Sequence, residues 1–348
     1  MASKLTNVET LAVRCPNWVG DIVMATPVFD CLRRNLPRMR IVGVLKKSAQ
    51  GIVKDGPWFD ALVDADDKTW SGFQQMRRQL RSVAPDAAIL LTNSVRSALS
   101  MRLCGIRRVY GYRRQGRGVL LAGGPTASRN GTVTPIPTGR YYLEICRWLG
   151  LDLPSQPKPT LFIGAELRRR ADALLARYGI EEKDFVVGLT PGASFGSSKC
   201  WPADYFAQLA ELCQDRLGAK VILFCGPGED AIAQAILGQT RARLIDARTG
   251  GLDLEVLKPL VKRCNLFITN DTGPRHYAVA FDIPVVVLMG STDPRYTEAN
   301  TERTIVVRKE LDCSPCHEKV CRRQHECMTA IQPAEVLAAA QRLLRACG

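Results

Sequence analysis

Short apolar runs alternate along this chain with longer stretches in which apolar positions recur every three or four residues, the spacing that gives a helix one buried face. Leu11–Arg14 reads as a strand, and the helix after it runs from about Gly20 to Asn35 with Ile22, Phe29 and Leu32 on one face. Further strands are expected at Ile41–Leu45, Leu62–Asp64 and Ala87–Leu91, with amphipathic helices between them. A second series follows at Val186–Thr190, Lys220–Cys225, Arg243–Ile245, Leu266–Thr269 and Val285–Met289. An Ala- and Leu-rich helix from about Pro333 to Leu344 ends the pattern. Alternation of this kind predicts an α/β chain whose mostly parallel sheets are covered by helices.

Two stretches break the rhythm. Residues 113–139 are rich in Gly, Pro, Arg and Thr and read as a long, mobile, basic loop. Residues 151–160, LDLPSQPKPT, carry three prolines and read as an interdomain linker. At 348 residues the chain fits two domains of ordinary size, which gives the active site a natural place in the cleft between them. No run of about 18 apolar residues occurs, so no transmembrane helix is expected. The opening MASKLTNVET lacks the apolar core of an export signal, and a cytoplasmic location is the expectation.

Composition changes this picture in two respects. The formal charge is +14, which points to a phosphate-bearing partner: nucleic acid, anionic lipid or an acidic substrate. The chain also holds 13 cysteines. Nine are scattered through apolar segments, as buried reduced thiols would be. The other four lie close together near the end.

Candidate chemistry sits where strands give way to helices. In Phe267-Ile-Thr-Asn-Asp-Thr-Gly-Pro-Arg-His276 an apolar strand ends in Asp271-Thr272-Gly273, and Pro274 suits a first helical turn. Free backbone N–H groups and the positive helix end then face whatever lies above the strand, and a diphosphate fits; a plain helix cap by Asp271 or Thr272 stays open. Thr190-Pro-Gly-Ala-Ser-Phe-Gly-Ser-Ser-Lys-Cys-Trp-Pro202 is a second such junction, with small residues for close approach and Lys199 as a point charge. It lacks the Walker A spacing. Asp21, at the start of a helix in the first half, is either an acid facing the cleft or a favourable first-turn charge without chemistry.

Gly226-Pro-Gly-Glu-Asp-Ala231 offers a rival reading, because it matches G-x-G-x-x-A and Asp246 lies 18 residues beyond Gly228. A nicotinamide-dependent oxidoreductase would want that acid for a ribose. Glu229 and Asp230 at the helix start would repel a pyrophosphate, however, and the match follows the second strand of its half rather than the first. Glu229 free to accept hydrogen bonds from a ribose accounts for the residues better. A purely polyanion-binding protein is a third alternative, but no nucleic-acid-binding module accompanies the charge.

The run G-D-I-V-M-A-T-P near the start, the S-x(4)-K-x-W-P loop, the G-P-G-E turn and the N-D-T-G-P-x-H segment, in this order, resemble the heptosyltransferase family of lipopolysaccharide assembly. The resemblance extends from about residue 10 to residue 345, and the P-N-W-V-G-D form of the first motif is closer to type II members than to type I. It implies a GT-B architecture of two Rossmann-like domains facing across a cleft. Residues 1–160 would bind the acceptor, residues 161–330 the nucleotide-sugar donor, and a helix in 331–348 would return to the first domain. It further implies inverting transfer of L-glycero-D-manno-heptose from ADP-heptose to the first heptose of a Kdo–lipid A acceptor. By match to the motifs, Asp21 would be the general base, while Ser194, Lys199, Thr272 and Gly273 would hold the diphosphate. Asp271 and His276 would shape the site around the donor sugar, and Glu229 would hold the ribose. No cofactor would be required for catalysis. Another nucleotide-diphosphate sugar as donor stays open. A monomer touching the cytoplasmic face of the inner membrane is expected, with Arg107, Arg108, Arg113, Arg114 and Arg117 meeting the acceptor's anionic groups and no nucleic acid as partner.

Cys313, Cys316, Cys321 and Cys327 fall within 15 residues, spaced C-x2-C-x4-C-x5-C. That spacing admits a structural zinc, free thiols or disulfides. A catalytic metal is not expected there, because the segment is far in sequence from the phosphate-binding loops.

Overall fold

The computed structural model describes residues 4–126 and 136–347. They form two units, Met1–Phe162 with Arg295–Thr297, and Ile163–Pro294 with Glu298–Gly348. The first holds a parallel sheet of β1 (Thr10–Arg14), β2 (Arg40–Leu45), β3 (Ala61–Asp64), β4 (Ala87–Leu90) and β5 (Arg108–Gly111), in the order β3-β2-β1-β4-β5. The second holds β6 (Val186–Thr190), β7 (Lys220–Leu223), β8 (Leu244–Asp246), β9 (Leu266–Asn270), β10 (Val285–Leu288) and β11 (Thr304–Val307), in the order β11-β10-β9-β6-β7-β8, again parallel. Central strands such as Val186–Thr190 and Val285–Leu288 are buried at every position, because helices cover both faces and no alternation with polar residues is needed.

Each sheet reverses direction beside its first strand. The chain leaves β1 towards β2 and β3, then returns to place β4 on the other side of β1. It leaves β6 towards β7 and β8, then returns to place β9 beside β6. The carboxyl ends of adjacent strands at such a reversal diverge, and ligands of open parallel sheets bind there. The β1/β4 and β6/β9 junctions are therefore where chemistry is to be sought.

The sequence pattern misplaced several elements. The helix expected over Gly20–Asn35 is two helices, Val19–Met24 and Thr26–Asn35. Pro27 has no N–H to give to the Val23 carbonyl, and Thr26 Oγ1 takes that carbonyl instead at 2.8 Å. The edge strands β5 and β11 were not expected from the pattern. Within 113–139, Arg117–Leu120 is a 3-10 turn with Arg117 buried, and residues 127–135 lie outside the described residues. The proline-rich stretch is fastened to the first unit: Asn35 exchanges hydrogen bonds with the Asp152 backbone, and the Thr160 N–H donates to Thr26 Oγ1 at 2.9 Å.

The final helix, Pro333–Cys347, was expected to return to the first domain. It lies with the second unit, where Val336, Ala340 and Leu343 share a core with Phe206, Leu209 and Val286. Its apolar face is a full helical stripe, and the Ala203–Leu217 helix with β10 and β11 supplies the surface it needs. No helix among the described residues is long and apolar enough to cross a membrane.

Candidate active site

In the second unit, the two phosphate-loop candidates meet at the β6/β9 junction. Register places Thr190 opposite Thr269, so both loops leave the sheet at one level. Asn270 ties them together: its Nδ2 donates to the Pro191 carbonyl, and its Oδ1 accepts from the Trp201 N–H at 3.2 Å. Lys199, carried on the Ser197–Lys199 turn, thereby reaches Asp271. Its Nζ donates to Asp271 Oδ2 at 2.7 Å and to the Asp271 carbonyl at 3.0 Å, with the Phe195 ring beneath it. Arg275 Nη1 donates to the other carboxylate oxygen at 2.7 Å, and Thr292 Oγ1 donates to Oδ2 at 2.7 Å.

This cluster is buried and electrostatically asymmetric. Two cations face one carboxylate, leaving a net charge of +1 beside the amino end of the Gly273–Ala280 helix. Burial alone would raise the Asp271 pKa. The Arg275 and Lys199 charges, with the hydrogen bonds from Lys199 and Thr292, overcome it and hold the carboxyl well below the usual range. His276 is buried beside them. Burial first, then Arg275 and Lys199, push its pKa down to about 3, with Asp271 opposing only in part, so the imidazole is neutral at pH 7. Thr272 precedes the helix in extended conformation, and its side chain makes no capping hydrogen bond. The arrangement offers surplus positive charge that suits an anion, with Lys199 held in place rather than left to wander.

The expected donor residues divide accordingly. Lys199, Asp271, Thr272, Gly273 and His276 are brought together. Asp271 has both oxygens engaged by Lys199, Thr292 and Arg275, and it holds the two cations in place. Ser194 is exposed on the loop, with no side-chain hydrogen bond among the described residues. Glu229 lies on the β7 loop, where Oε2 accepts from the Gly226 N–H at 2.7 Å and a Cβ on Gly192 would lie 1.9 Å from its Cδ. It therefore sits directly over the start of the β6 loop. Burial, only partly offset by the Gly226 hydrogen bond, raises its pKa. Arg275 and Thr292 were missed. Arg275 was legible, one helical turn from Asp271, whereas Thr292 comes from the loop after another strand.

The rival dinucleotide reading loses its acid. Arg248 holds Asp246 Oδ2 at 2.7 Å and Asp230 Oδ1 at 2.6 Å, and β7 does not flank the sheet's reversal.

In the first unit, Asp21 occupies the first turn of the Val19–Met24 helix, directly after β1. The loop between is fixed by buried Arg14, which donates to the Cys15 carbonyl at 2.8 Å and to Asn17 Oδ1 at 3.0 Å. Tyr142, from the Thr138–Leu149 helix, is hydrogen-bonded to Asp21. Burial first, then the Asp21 charge, raise the Tyr142 pKa far above its ordinary value, so its hydroxyl stays protonated. After β4, Asn93 Oδ1 accepts from Tyr141 at 3.0 Å. Arg117 was expected in the acceptor loop. It is instead spent on the Tyr112 and Thr92 carbonyls, at 2.9 and 2.7 Å, and Arg108 donates to the Thr6 and Asn7 carbonyls.

The cysteine segment is not remote from this chemistry. It is laid against the Lys199 loop: Ser198 N–H donates to the Lys319 carbonyl at 3.1 Å, Ser198 Oγ to the Glu318 carbonyl at 2.5 Å, and His325 Nε2 lies 2.9 Å from the Ser198 carbonyl. Cys313, Cys316, Cys321 and Cys327 line one cavity of about 20 Å³. Among the described residues no group of three or more His, Cys, Asp or Glu side chains is placed to hold a metal ion, and all four cysteines are free thiols.

Known proteins resemble this chain in sequence and fold. Lipooligosaccharide heptosyltransferase 2 of Campylobacter jejuni is 23% identical over 339 residues, covering 96% of this chain and 98% of that protein. Lipopolysaccharide heptosyltransferase 3 of Escherichia coli is 26% identical, covering 93% and 95%. The solved structure of Escherichia coli ADP-heptose LPS heptosyltransferase II superimposes with a TM-score of 0.78 at 24% identity, covering 97% and 98%, which shows a shared fold. Residues 73–326, most of the chain, match the model of glycosyltransferase family 9 (heptosyltransferase), and the chain belongs to that family of enzymes.

Proposed function

We propose that the enzyme transfers L-glycero-D-manno-heptose from ADP-heptose, with inversion, to the first heptose of a Kdo–lipid A acceptor. The observation that carries this reading is the Lys199–Asp271–Arg275 cluster at the reversal of the second sheet. Its surplus positive charge, next to a helix amino end, suits a departing diphosphate. The names of the relatives supply the sugar. The acceptor oxygen forms its bond to the anomeric carbon as the bond from that carbon to the β-phosphate oxygen breaks. The electron pair leaves with ADP, and the acceptor proton passes to Asp21. Tyr142 orients that carboxylate. Lys199 and the backbone of Thr272 and Gly273 stabilise the leaving charge, a task that otherwise falls to a divalent metal. Glu229, with one oxygen free of hydrogen bonds among the described residues, accepts from the ribose. Such an acceptor is met at a bilayer, so peripheral contact with a membrane surface belongs to the same reading.

ADP release from ADP-heptose, with and without heptosyl-Kdo–lipid A, tests the proposal for the wild type and Asp21→Asn. Acceptor-dependent release that collapses in the variant while ADP still binds is the expected result. Release with an acceptor already carrying the second heptose, and none with the shorter one, would move the chain to the type 3 relatives. No release with either, from folded protein, would move the reading to another nucleotide-diphosphate sugar as donor.

A further inference from the structure

From the exposed surface of the first unit, we infer a docking site for an anionic bilayer, formed by the Val95–Leu103 helix and the neighbouring Arg117–Leu120 turn. Ala98 and Met101 anchor the helix in the first unit's core, and the face turned outward is apolar as well. Ser97 and Ser100 are buried, their hydroxyls returned to the Ser94 and Ser97 carbonyls at 2.8 and 3.1 Å. Val95, Leu99 and Leu103, each four residues from the next, are 43%, 43% and 53% exposed. Val119, on the turn packed beside this helix, is 86% exposed. At about 100° per residue, Val95, Leu99 and Leu103 form one stripe, with Arg102 along one edge and Arg96 along the other.

The charge around the stripe names its occupant. Between Asp86 and Glu144 the chain has nine arginines, no lysine and no acidic residue. Arg117 is buried and Arg108 is tied to backbone carbonyls, but Arg96, Arg107 and Arg113 are exposed and in no ion pair among the described residues. Apolar side chains flanked by guanidinium groups are what an interfacial helix presents to anionic headgroups: the leucines enter the acyl boundary, and the arginines stay at the phosphates. A second copy of the chain is disfavoured, since a two-fold contact would set this arginine-rich surface against itself. The inference deepens the reading above, resting on it for the lipid-borne acceptor, yet its test needs no sugar transfer.

Co-sedimentation with phosphatidylcholine vesicles, with and without about a third phosphatidylglycerol, reads the binding at about 0.15 M salt. Wild type should bind the anionic vesicles and not the neutral ones. Leu99→Ser/Leu103→Ser and Arg96→Glu/Arg107→Glu should each lower binding at least about tenfold, with unchanged melting temperature and ADP affinity. Wild type that ignores anionic vesicles, or variants that bind them as wild type does, would overturn the site. So would an oligomer in the wild type that Leu99→Ser/Leu103→Ser dissolves, since the stripe would then face a second copy. ADP affinity lost in the wild type itself would fault the transferase reading and leave the vesicle result standing.

Discussion

Lys199 and Asp271, 72 residues apart, meet at 2.7 Å because two strands of one sheet deliver their loops to the same edge. Both side chains are largely buried, and Arg275 takes the carboxylate oxygen that Lys199 leaves. The two partners therefore fail differently when removed. Asp271→Asn strands two buried cations and should cost about 3–5 kcal/mol of stability. Lys199→Met leaves Asp271 paired with Arg275 and should cost less stability, while lowering kcat about 10²–10³-fold through lost stabilisation of the leaving group. Denaturant unfolding beside steady-state kinetics checks the pair; equal losses of stability would refute the asymmetry.

His276 provides a pH signature. Its native pKa of about 3 lies below the ordinary value near 6.5, so the unfolded chain binds a proton that the folded chain refuses. The stability tied to the neutral imidazole is complete above pH 6.5 and is lost as pH falls from there towards 3, at up to about 1.4 kcal/mol per pH unit. Asp271, held low, adds its own loss only below the ordinary carboxylate range, as its pairs with Arg275 and Lys199 are protonated away. Urea midpoints between pH 7 and 5 should fall for wild type more steeply than for His276→Asn. Identical slopes would mean that His276 does not titrate between the two states.

Much of this site was legible in the sequence, and the reasons are local. A strand ending in Asp271-Thr272-Gly273-Pro274 announces a helix amino end, because the apolar run, the small residue and the proline are all within a few positions. The break at Ala25 was equally local, since Pro27 cannot continue a helix, yet the apolar spacing of Ile22, Phe29 and Leu32 concealed it. What sequence distance hides is partnership. Thr292 reaches Asp271 from the loop after β10, and Tyr142 reaches Asp21 from a helix more than a hundred residues on. The docking of the cysteine segment on Ser198 is of the same kind, as is the packing of the last helix on the second unit.

Tyr142 should behave as a positioning residue. Its buried hydroxyl, kept protonated by its surroundings, stays a donor to Asp21 at every working pH. Tyr142→Phe should lower kcat about tenfold, with little change in KM for the donor, and should move the acidic limb of the kcat profile to higher pH as the carboxylate loses a donor. A purely structural tyrosine would lower stability and leave the limb where it was.

Gly192 and Glu229 should act as one unit. A Cβ at Gly192 would fall on the Glu229 carboxylate, so Gly192→Ala must push that side chain off the β6 loop. Glu229→Ala removes it outright. If Glu229 holds the ribose, each variant should weaken ADP binding by about tenfold, the value of a charge-assisted hydrogen bond. The double variant should be no weaker than the worse single one, because neighbours sharing one interaction do not add. Calorimetric titration with ADP reads all three, and additive losses would separate the loop from the carboxylate.

Chelation bears on both the chemistry and the cysteine segment. If the diphosphate leaves beside Lys199, Arg275 and the Gly273–Ala280 helix, as proposed, their positive charge does the work of a metal, and EDTA should leave the initial rate of ADP release unchanged. The segment from Cys313 to Cys327 grips the Lys199 loop through backbone carbonyls, so the melting temperature should also be unaffected. Gly196→Ala attacks the same brace without touching a thiol. Gly196 has φ +158°, and a Cβ there would lie 2.2 Å from the Lys319 carbonyl oxygen, a backbone atom with little room to move. That variant should melt lower and bind ADP more weakly, because the loop carrying Lys199 loses its seat. A chelator that reproduces the Gly196→Ala defect while releasing zinc would show that metal, and not backbone contact, holds the segment to the loop.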